Sequence, residues 1–513
     1  MKTNFTKLFR YLILALLVYM PVFGFMDDMP IRVYDESRLA INAYEMTKTG
    51  QLLRVTCGYH TDYENMKPPL MIWLQAGCMK MFGAGEIAVR LPTAFAAFFT
   101  CIILLVFCEK YLGSFWLGFI AVVALITTNG YIHYHVARSG DYDTMLTCFT
   151  TLSALLFFVY CETEKTKWLY LFFAALTFAF FTKGIASLLF SPAYIIYALM
   201  RKRFLPLLTN KHFYLGMFGF LGLACGYYAA REYLDPGYFW KLNDNELVGR
   251  YFVGDKTKSE INFRFYYDEL IESYIYDRYF LIPCGFVIGF FSKNKRLKQT
   301  SLYLFIVCVT FYIILSIART QLYWYDAPLY PLLSIFVALF VHWVFDALKN
   351  ASFTNYFTHN AVPYVFLFLV ILFPYQKIWH KTYKPGEIHP WDKDYYALSY
   401  FLKEAVNGNY NLNNAHLLHE GYRAHCDFYT NILNDRGVNV DFKDWHSLVP
   451  GDTVIAFQQS VKDYLCRHYR YTSKKLKGIV AQYSITEKYT TVNDSTDCNA
   501  QNETGKKSGQ FSN

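Results

Sequence analysis

Residues 92–110 read PTAFAAFFTCIILLVFCEK, and no Asp, Glu, Lys or Arg interrupts them before Glu109. At about 1.5 Å per helical residue such a run crosses a hydrocarbon layer of about 30 Å. It is one of many. Apolar blocks of about 15–22 residues also fall at 8–25, 115–132, 144–161, 168–182, 185–200, 213–230, 279–292, 300–317, 327–346 and 361–375. Of the 513 residues, 54% are hydrophobic, 20% aromatic and only 17% charged, against roughly a quarter charged in soluble domains.

These blocks predict an all-α polytopic membrane domain over 1–375, with about eleven transmembrane helices. Residues 376–491 lack comparable blocks. Short apolar runs such as Thr453 to Phe457, mixed with polar helical patterns, read as a small soluble α/β domain. The tail 492–513, rich in Asn, Ser, Thr and Gly, reads as disordered. Lys2, Lys7 and Arg10 precede the first apolar run, and no small-x-small cleavage site follows it. That run is therefore expected to stay as the first helix.

The net charge of +9 does not indicate nucleic acid. Its cations cluster between apolar blocks, at Arg201 to Arg203 and at Lys293, Lys295, Arg296 and Lys298, as cytoplasmic loops do. With the N-terminus inside, eleven helices put loops 26–91, 231–278 and the C-terminal domain on the outer face. The stretch Leu70 to Phe82 reads as an interfacial helix. The 12 cysteines form no CxxC pair. Cys101, Cys108, Cys148 and Cys308 fall in apolar blocks, and Cys426 could pair with Cys466.

Six polar constellations fall on the outer face under this topology: Tyr34-Asp35-Glu36, Lys67-Pro68-Pro69-Leu70, Arg90-Leu91-Pro92, Arg138-Ser139-Gly140-Asp141-Tyr142-Asp143, Lys183-Gly184, and Arg319 to Pro331 with Tyr325. Singly, each has a bland reading, since Lys67 and Arg90 could simply snorkel and a loop Asp is usually solvated. Together they gather carboxylates and cations beside helix ends, where ionisable groups are costly and functional by default. The mixture suits sugar transfer. A carboxylate takes a hydroxyl proton, and cations stabilise charge growing on a departing phosphate.

The order DES, KPPL, RLP, R-x-x-x-x-D, F-x-K-G and Y-x-x-P-x-x-P over roughly residues 30–335 resembles the superfamily of lipid A aminoarabinose transferases and protein O-mannosyltransferases, which are membrane glycosyltransferases of the GT-C fold. The resemblance implies a polyprenyl-phosphate sugar donor, with undecaprenyl favoured, and a lipid, glycan or protein acceptor. It implies Asp35 as general base with Glu36 beside it, Asp143 as the second outer carboxylate with Asp141 as its neighbour, and Lys67 and Arg250 as phosphate ligands assisted by Tyr325. Arg138, Lys183 and Arg319 are further candidates for the lipid phosphate. The expected location is a bacterial inner membrane, with the catalytic loops periplasmic.

There are departures. Met66 stands where the aminoarabinose transferases have Glu, and Gln321 where they tend to have Lys. Glu260 replaces the His of His-x-x-Pro, so no cofactor is assigned and a divalent metal stays open. Two other classes fit less well. A lipid-sugar transporter predicts midplane polar residues and broken, repeat-related helices, whereas the spans are centred on Leu, Ile, Phe and Ala. A receptor built on 376–513 leaves the ordered motifs unexplained.

Overall fold

A computed structural model describes residues 2–133, 135–245, 249, 261–274, 278–350, 361–383 and 393–489. The chain divides into two compact units, Met1–Met26 with Glu45–Pro385, and Asp27–Tyr44 with Gly386–Asn513. The sequence reading put residues 27–44 in an outer loop of the membrane domain. They group instead with the C-terminal region.

The first unit is helical. Among the described residues, seven of its helices are long and apolar enough to cross a membrane: Glu86–Tyr111, Asp143–Thr163, Thr166–Leu188, Lys211–Leu234, Lys295–Ile317, Ala327–Asn350 and Ala361–Tyr383. The other four expected blocks form shorter apolar helices, Leu8–Phe23, Phe115–Ile126, Ser191–Met200 and Leu281–Phe290. The protein is thus an integral membrane protein. Helices Lys211–Leu234 and Ala361–Tyr383 bury little of themselves in the protein. They leave Leu215, Phe218, Phe368 and Phe373 exposed, as suits lipid contact.

Helix Asp143–Thr163 orders this unit. Residues Asp143, Met145, Leu146, Ala154, Phe157 and Phe158 are all buried along it. Near its C-terminal end Glu162 accepts from Arg201 twice, at 2.8 and 3.0 Å, and from Tyr197 at 2.7 Å. Arg203 pairs with Glu164 at 2.6 Å. The basic cluster Arg201 to Arg203 is therefore about 30 Å of helix away from Asp143.

The loop after the first helices is built to hold Lys67. Strands β1 (Thr56–Cys57) and β2 (His60–Thr61) form a small antiparallel hairpin. Asp62 then accepts from the Glu64 and Asn65 backbone N–H groups at 3.0 and 3.1 Å, an Asx turn that reverses the chain. Buried Arg231 reaches Leu53 O at 2.9 Å and Asp235 at 3.0 Å. Asp235 also receives Arg54 at 3.0 Å and the Thr61 hydroxyl at 2.8 Å. This network staples the hairpin loop to the end of helix Lys211–Leu234.

The second unit carries a five-stranded sheet ordered β4-β3-β5-β7-β6, made of β3 (Ala415–Leu417), β4 (Val440–Phe442), β5 (Thr453–Ala456), β6 (Tyr469–Lys477) and β7 (Val480–Lys488). The first three strands are parallel and the last two add antiparallel, so the region is α/β. Segment 27–44 is tied in by Ile31 N to Tyr429 at 2.8 Å, Tyr422 to Tyr34 O at 3.1 Å and Tyr44 to Asn431 O at 3.1 Å. Cys426 is a buried free thiol, whereas Cys466 is disulfide-bonded. The Cys426–Cys466 pairing that the sequence allows is therefore not made.

Epitope tags inserted at the exposed turn Gly58 and at Lys202 should report opposite membrane faces in sealed vesicles probed with antibody before and after permeabilisation. Equal accessibility of both would contradict the separation along helix Asp143–Thr163.

Candidate functional site

Four of the residues singled out from sequence converge. Lys67, Asp143, Lys183 and Tyr325 line one open cleft. Leu146, Ile185, Leu189, Phe311, Leu315 and Ala318 form its apolar wall.

Each polar side chain is placed by local chemistry. Lys183 ends helix Thr166–Lys183, and Gly184 turns the chain with φ +58°. A side chain there would be strained, because left-handed backbone disfavours any Cβ. Lys183 Nζ lies 2.6 Å from Asp143 Oδ1, with side chains 9% and 2% exposed. The other oxygen, Asp143 Oδ2, meets no hydrogen-bond donor among the described residues. The Lys183 ammonium also sits 4.8 Å from the centre of the Tyr325 ring. Tyr325 is fixed by the turn into Ala327–Leu329, where Pro328 presets the short helix.

Lys67 is held from two sides. Its ammonium lies 5.3 Å from the centre of the Tyr142 ring, and the Tyr142 hydroxyl donates to Asn65 Oδ1 at 3.0 Å. The preceding carbonyl, Met66 O, accepts from Tyr238 at 2.7 Å, and Tyr238 lies under the Arg231 guanidinium at 4.6 Å. Gly140 is packed so tightly that an added Cβ would come within 2.4 Å of Val89 Cγ1. Its carbonyl accepts from Gln75 at 2.9 Å. The motif before Asp141 therefore needs glycine to lie against helix Glu86–Val106.

Asp141 is buried beside the cleft and not in its lining. Its Oδ2 is 3.2 Å from His135 Nδ1, and its Oδ1 accepts from Tyr142 N at 2.6 Å. Burial alone would raise this carboxyl. The His135 hydrogen bond and charge, with Lys183 and the Tyr142 N–H, hold it below the usual carboxylate value. His135 stacks on Trp324 at 3.7 Å.

The remaining candidates lie elsewhere. Arg138 donates to Gly24 O at 2.8 Å, Pro21 O at 3.3 Å and Phe25 O at 3.2 Å. Arg90 donates to Met26 O at 2.5 Å. Both arginines thus serve carbonyls at the end of the first helix, as cations do at helix C-termini. Arg319 is exposed, and only its neighbours Ala318 and Thr320 line the cleft. Gln321 donates to Asn262 O and Ser316 O, both at 3.1 Å. Arg250 and Glu260 lie outside the described residues. Asp35 and Glu36 belong to the second unit. Asp35 is exposed at the start of helix Asp35–Thr49, and buried Glu36 accepts from Arg32 N at 2.8 Å.

Sequence reasoning missed His135, Tyr238 and Asp326, and named Tyr142 within its constellation without a role. Asp326 is fully buried, and its Oδ2 accepts from Tyr330 at 2.8 Å. Its Oδ1 meets no donor among the described residues. Burial, with the charges of Glu269 and Asp143, pushes its carboxyl up to about 8. Its adjacency to Tyr325 in the proline motif was the available signal.

Comparison with known proteins agrees with this architecture. Residues 66–227 match the family described as dolichyl-phosphate-mannose-protein mannosyltransferase, a stretch that begins beside Lys67 and includes Asp143 and Lys183. Over 357 residues the chain is 24% identical to an uncharacterized protein of Aquifex aeolicus, covering 66% of this chain and 68% of that one. ArnT from Cupriavidus metallidurans bound to undecaprenyl phosphate superposes with a TM-score of 0.66 at 15% identity, over 94% of this chain and 98% of that one. The Archaeoglobus fulgidus oligosaccharyltransferase gives 0.52 at 10% identity, over 95% and 75%.

Asp326 supplies a pH test. Its folded value lies above the ordinary 3.8, so the native state favours the proton. The stability this confers is full below about pH 4 and is lost as pH rises through about 8. Asp326→Asn should remove that dependence. Thermal unfolding in detergent should fall less steeply for the variant than for wild type between about pH 5 and about pH 8; parallel curves would contradict a neutral Asp326.

The chain thus shares the GT-C fold of ArnT and of the archaeal oligosaccharyltransferase.

Proposed function

We propose that the chain is a membrane glycosyltransferase that moves a sugar from a polyprenyl-phosphate donor, of the undecaprenyl type, to a lipid, glycan or protein acceptor on the periplasmic face of a bacterial inner membrane. The observation that carries this reading is the cleft. Two ammonium groups and a phenol gather at one part of it, and an apolar wall continues from them. An isoprenyl phosphate has the matching character, an anionic head on an apolar tail. The comparison with an undecaprenyl-phosphate-bound ArnT supports the same ligand class.

The reaction is a direct displacement with inversion. The acceptor oxygen bonds to the anomeric carbon, the bond from that carbon to the phosphate oxygen breaks, and polyprenyl phosphate leaves with the electron pair. Lys67 and Lys183 stabilise the charge that grows on the phosphate, Tyr325 offers a hydroxyl hydrogen bond, and Arg250 is assigned the same task through the resemblance. The acceptor proton goes to a carboxylate. The resemblance assigns that role to Asp35, with Asp143 orienting acceptor or headgroup.

Two substitutions test the assignments, read in a deletion strain complemented with each variant by mass spectrometry of lipid-linked sugars and envelope glycans. Lys67→Ala should weaken undecaprenyl-phosphate binding by purified protein by about 10- to 100-fold, the range for a hydrogen bond to a charged group, and should abolish complementation. Lys67→Arg should restore part of both. Unchanged binding and product in Lys67→Ala would remove the lysine from the site.

Asp35→Asn keeps the shape and removes the basicity. It should lower product formation by about 10²–10⁴-fold while leaving carrier binding intact. Near-normal product would show that Asp35 only stabilises the first turn of its helix, and would transfer the base to Asp143.

A further inference from the structure

The second unit holds a cluster that the transfer reaction does not use. His419, His425 and Cys426 each bring a ligand atom within 4.8 Å of the other two. His425 is fully buried, Cys426 is a buried free thiol, and His419 is half-buried. The two imidazole rings lie 5.7 Å apart at 70°.

The position of the cluster in the sheet is an independent observation. His419 lies two residues past the end of β3, between the ends of two parallel neighbours. Its ring meets Phe442, the last residue of β4, at 6.4 Å and Phe457, just past β5, at 5.4 Å. After β3 the chain goes to β4 on one side, then returns to β5 on the other. This is the point in a parallel sheet where strand order reverses and where α/β folds open a ligand crevice at their carboxyl edge. His425 and Cys426 enter the same point from the first turn of helix Ala424–Asp435. The Ser399 side chain is hydrogen-bonded to the Cys426 sulfur, the kind of outer contact that orients a metal ligand.

We propose that His419, His425 and Cys426 form a zinc site. Two imidazole nitrogens and one thiolate are a donor set that Zn²⁺ takes in tetrahedral geometry, and the half-exposed side at His419 leaves a fourth position for water or another oxygen ligand. Magnesium and calcium, which require oxygen ligands, do not suit it. Binding displaces the Cys426 thiol proton to solvent. The ion ties the β3 loop to the crossover helix.

The test uses full-length protein in detergent, stripped with chelator, reloaded with zinc sulfate and gel-filtered. Wild type should retain about one zinc per chain, and zinc should raise its apparent unfolding temperature. Reloaded with Co²⁺, it should show a thiolate-to-cobalt charge-transfer band. Cys426→Ser should lose the band and most of the zinc. Cys426 is buried and could be needed for folding, so His419→Ala, at the half-exposed ligand, serves as the second variant and should also lose zinc while remaining monodisperse. Less than about a tenth of an equivalent in wild type, a cobalt complex without the thiolate band, or full zinc in both variants would overturn the proposal.

Discussion

The contact between Lys183 and Asp143 is the constraint around which the first unit is arranged. Two nearly buried opposite charges at 2.6 Å are costly to desolvate, and their attraction roughly repays that cost when geometry is good. Losing one partner is far worse, at about 3–5 kcal/mol, because a buried charge is left alone. The pair therefore ties the last residue of helix Thr166–Lys183 to the first of helix Asp143–Thr163. Gly184 must turn immediately afterwards, and Tyr325 closes over the ammonium. The cleft exists where these three chain reversals meet.

A second ionic network does similar work for Lys67 at a distance. Asp235 gathers Arg54, Arg231 and Thr61, and Arg231 supports the Tyr238 ring that holds Met66 O. The lysine itself keeps a flexible four-carbon stem, which suits a compact charge that must follow a phosphate. Its backbone anchor is the hydrogen bond from Tyr238 to the neighbouring Met66 O. The anchor comes from residues about 170 positions away, as the separation between Tyr238 and Met66 shows.

What sequence made legible follows from the range of each signal. Apolar blocks are local and long, and all eleven became apolar helices, although four are shorter than a full span. Lys67, Asp143, Lys183 and Tyr325 could be nominated because each is a polar residue at or near a helix end, Lys67 beside Pro68 and Lys183 beside Gly184. Arg138 looked equivalent from sequence alone. Only the folded chain shows three carbonyls at the end of the first helix within its reach. Asp326 was passed over because burial, not type, makes it unusual. Residues 27–44 misled through proximity. They follow the first helix directly, yet Ile31, Tyr34 and Tyr44 bond to side chains and carbonyls some 390 positions later, and no periodicity reports such pairing. The same holds for His419 and Cys426, which become neighbours only when the loop after β3 folds onto the next helix.

The charge of the cleft bears on how the proposed reaction would be driven. Its lining carries two ammonium groups against one carboxylate. Asp326 stays neutral behind it, and Asp141 lies 3.2 Å from His135. A sugar linked to polyprenyl phosphate is a diester with a single negative charge. The departing monoester carries about −1.5 to −2. A site with fixed cations in a largely apolar wall gains more from the second state than from the first, because the added charge develops next to groups that need not reorganise. Interactions that strengthen along the reaction lower its barrier, whereas those equal in both states only tighten binding. An ionised Asp326 would add a negative charge behind the cleft, and its burial, with the charges of Glu269 and Asp143, keeps the proton on. The buried acid that contributes no ligand to the cleft thereby preserves the field in which the leaving group is to form.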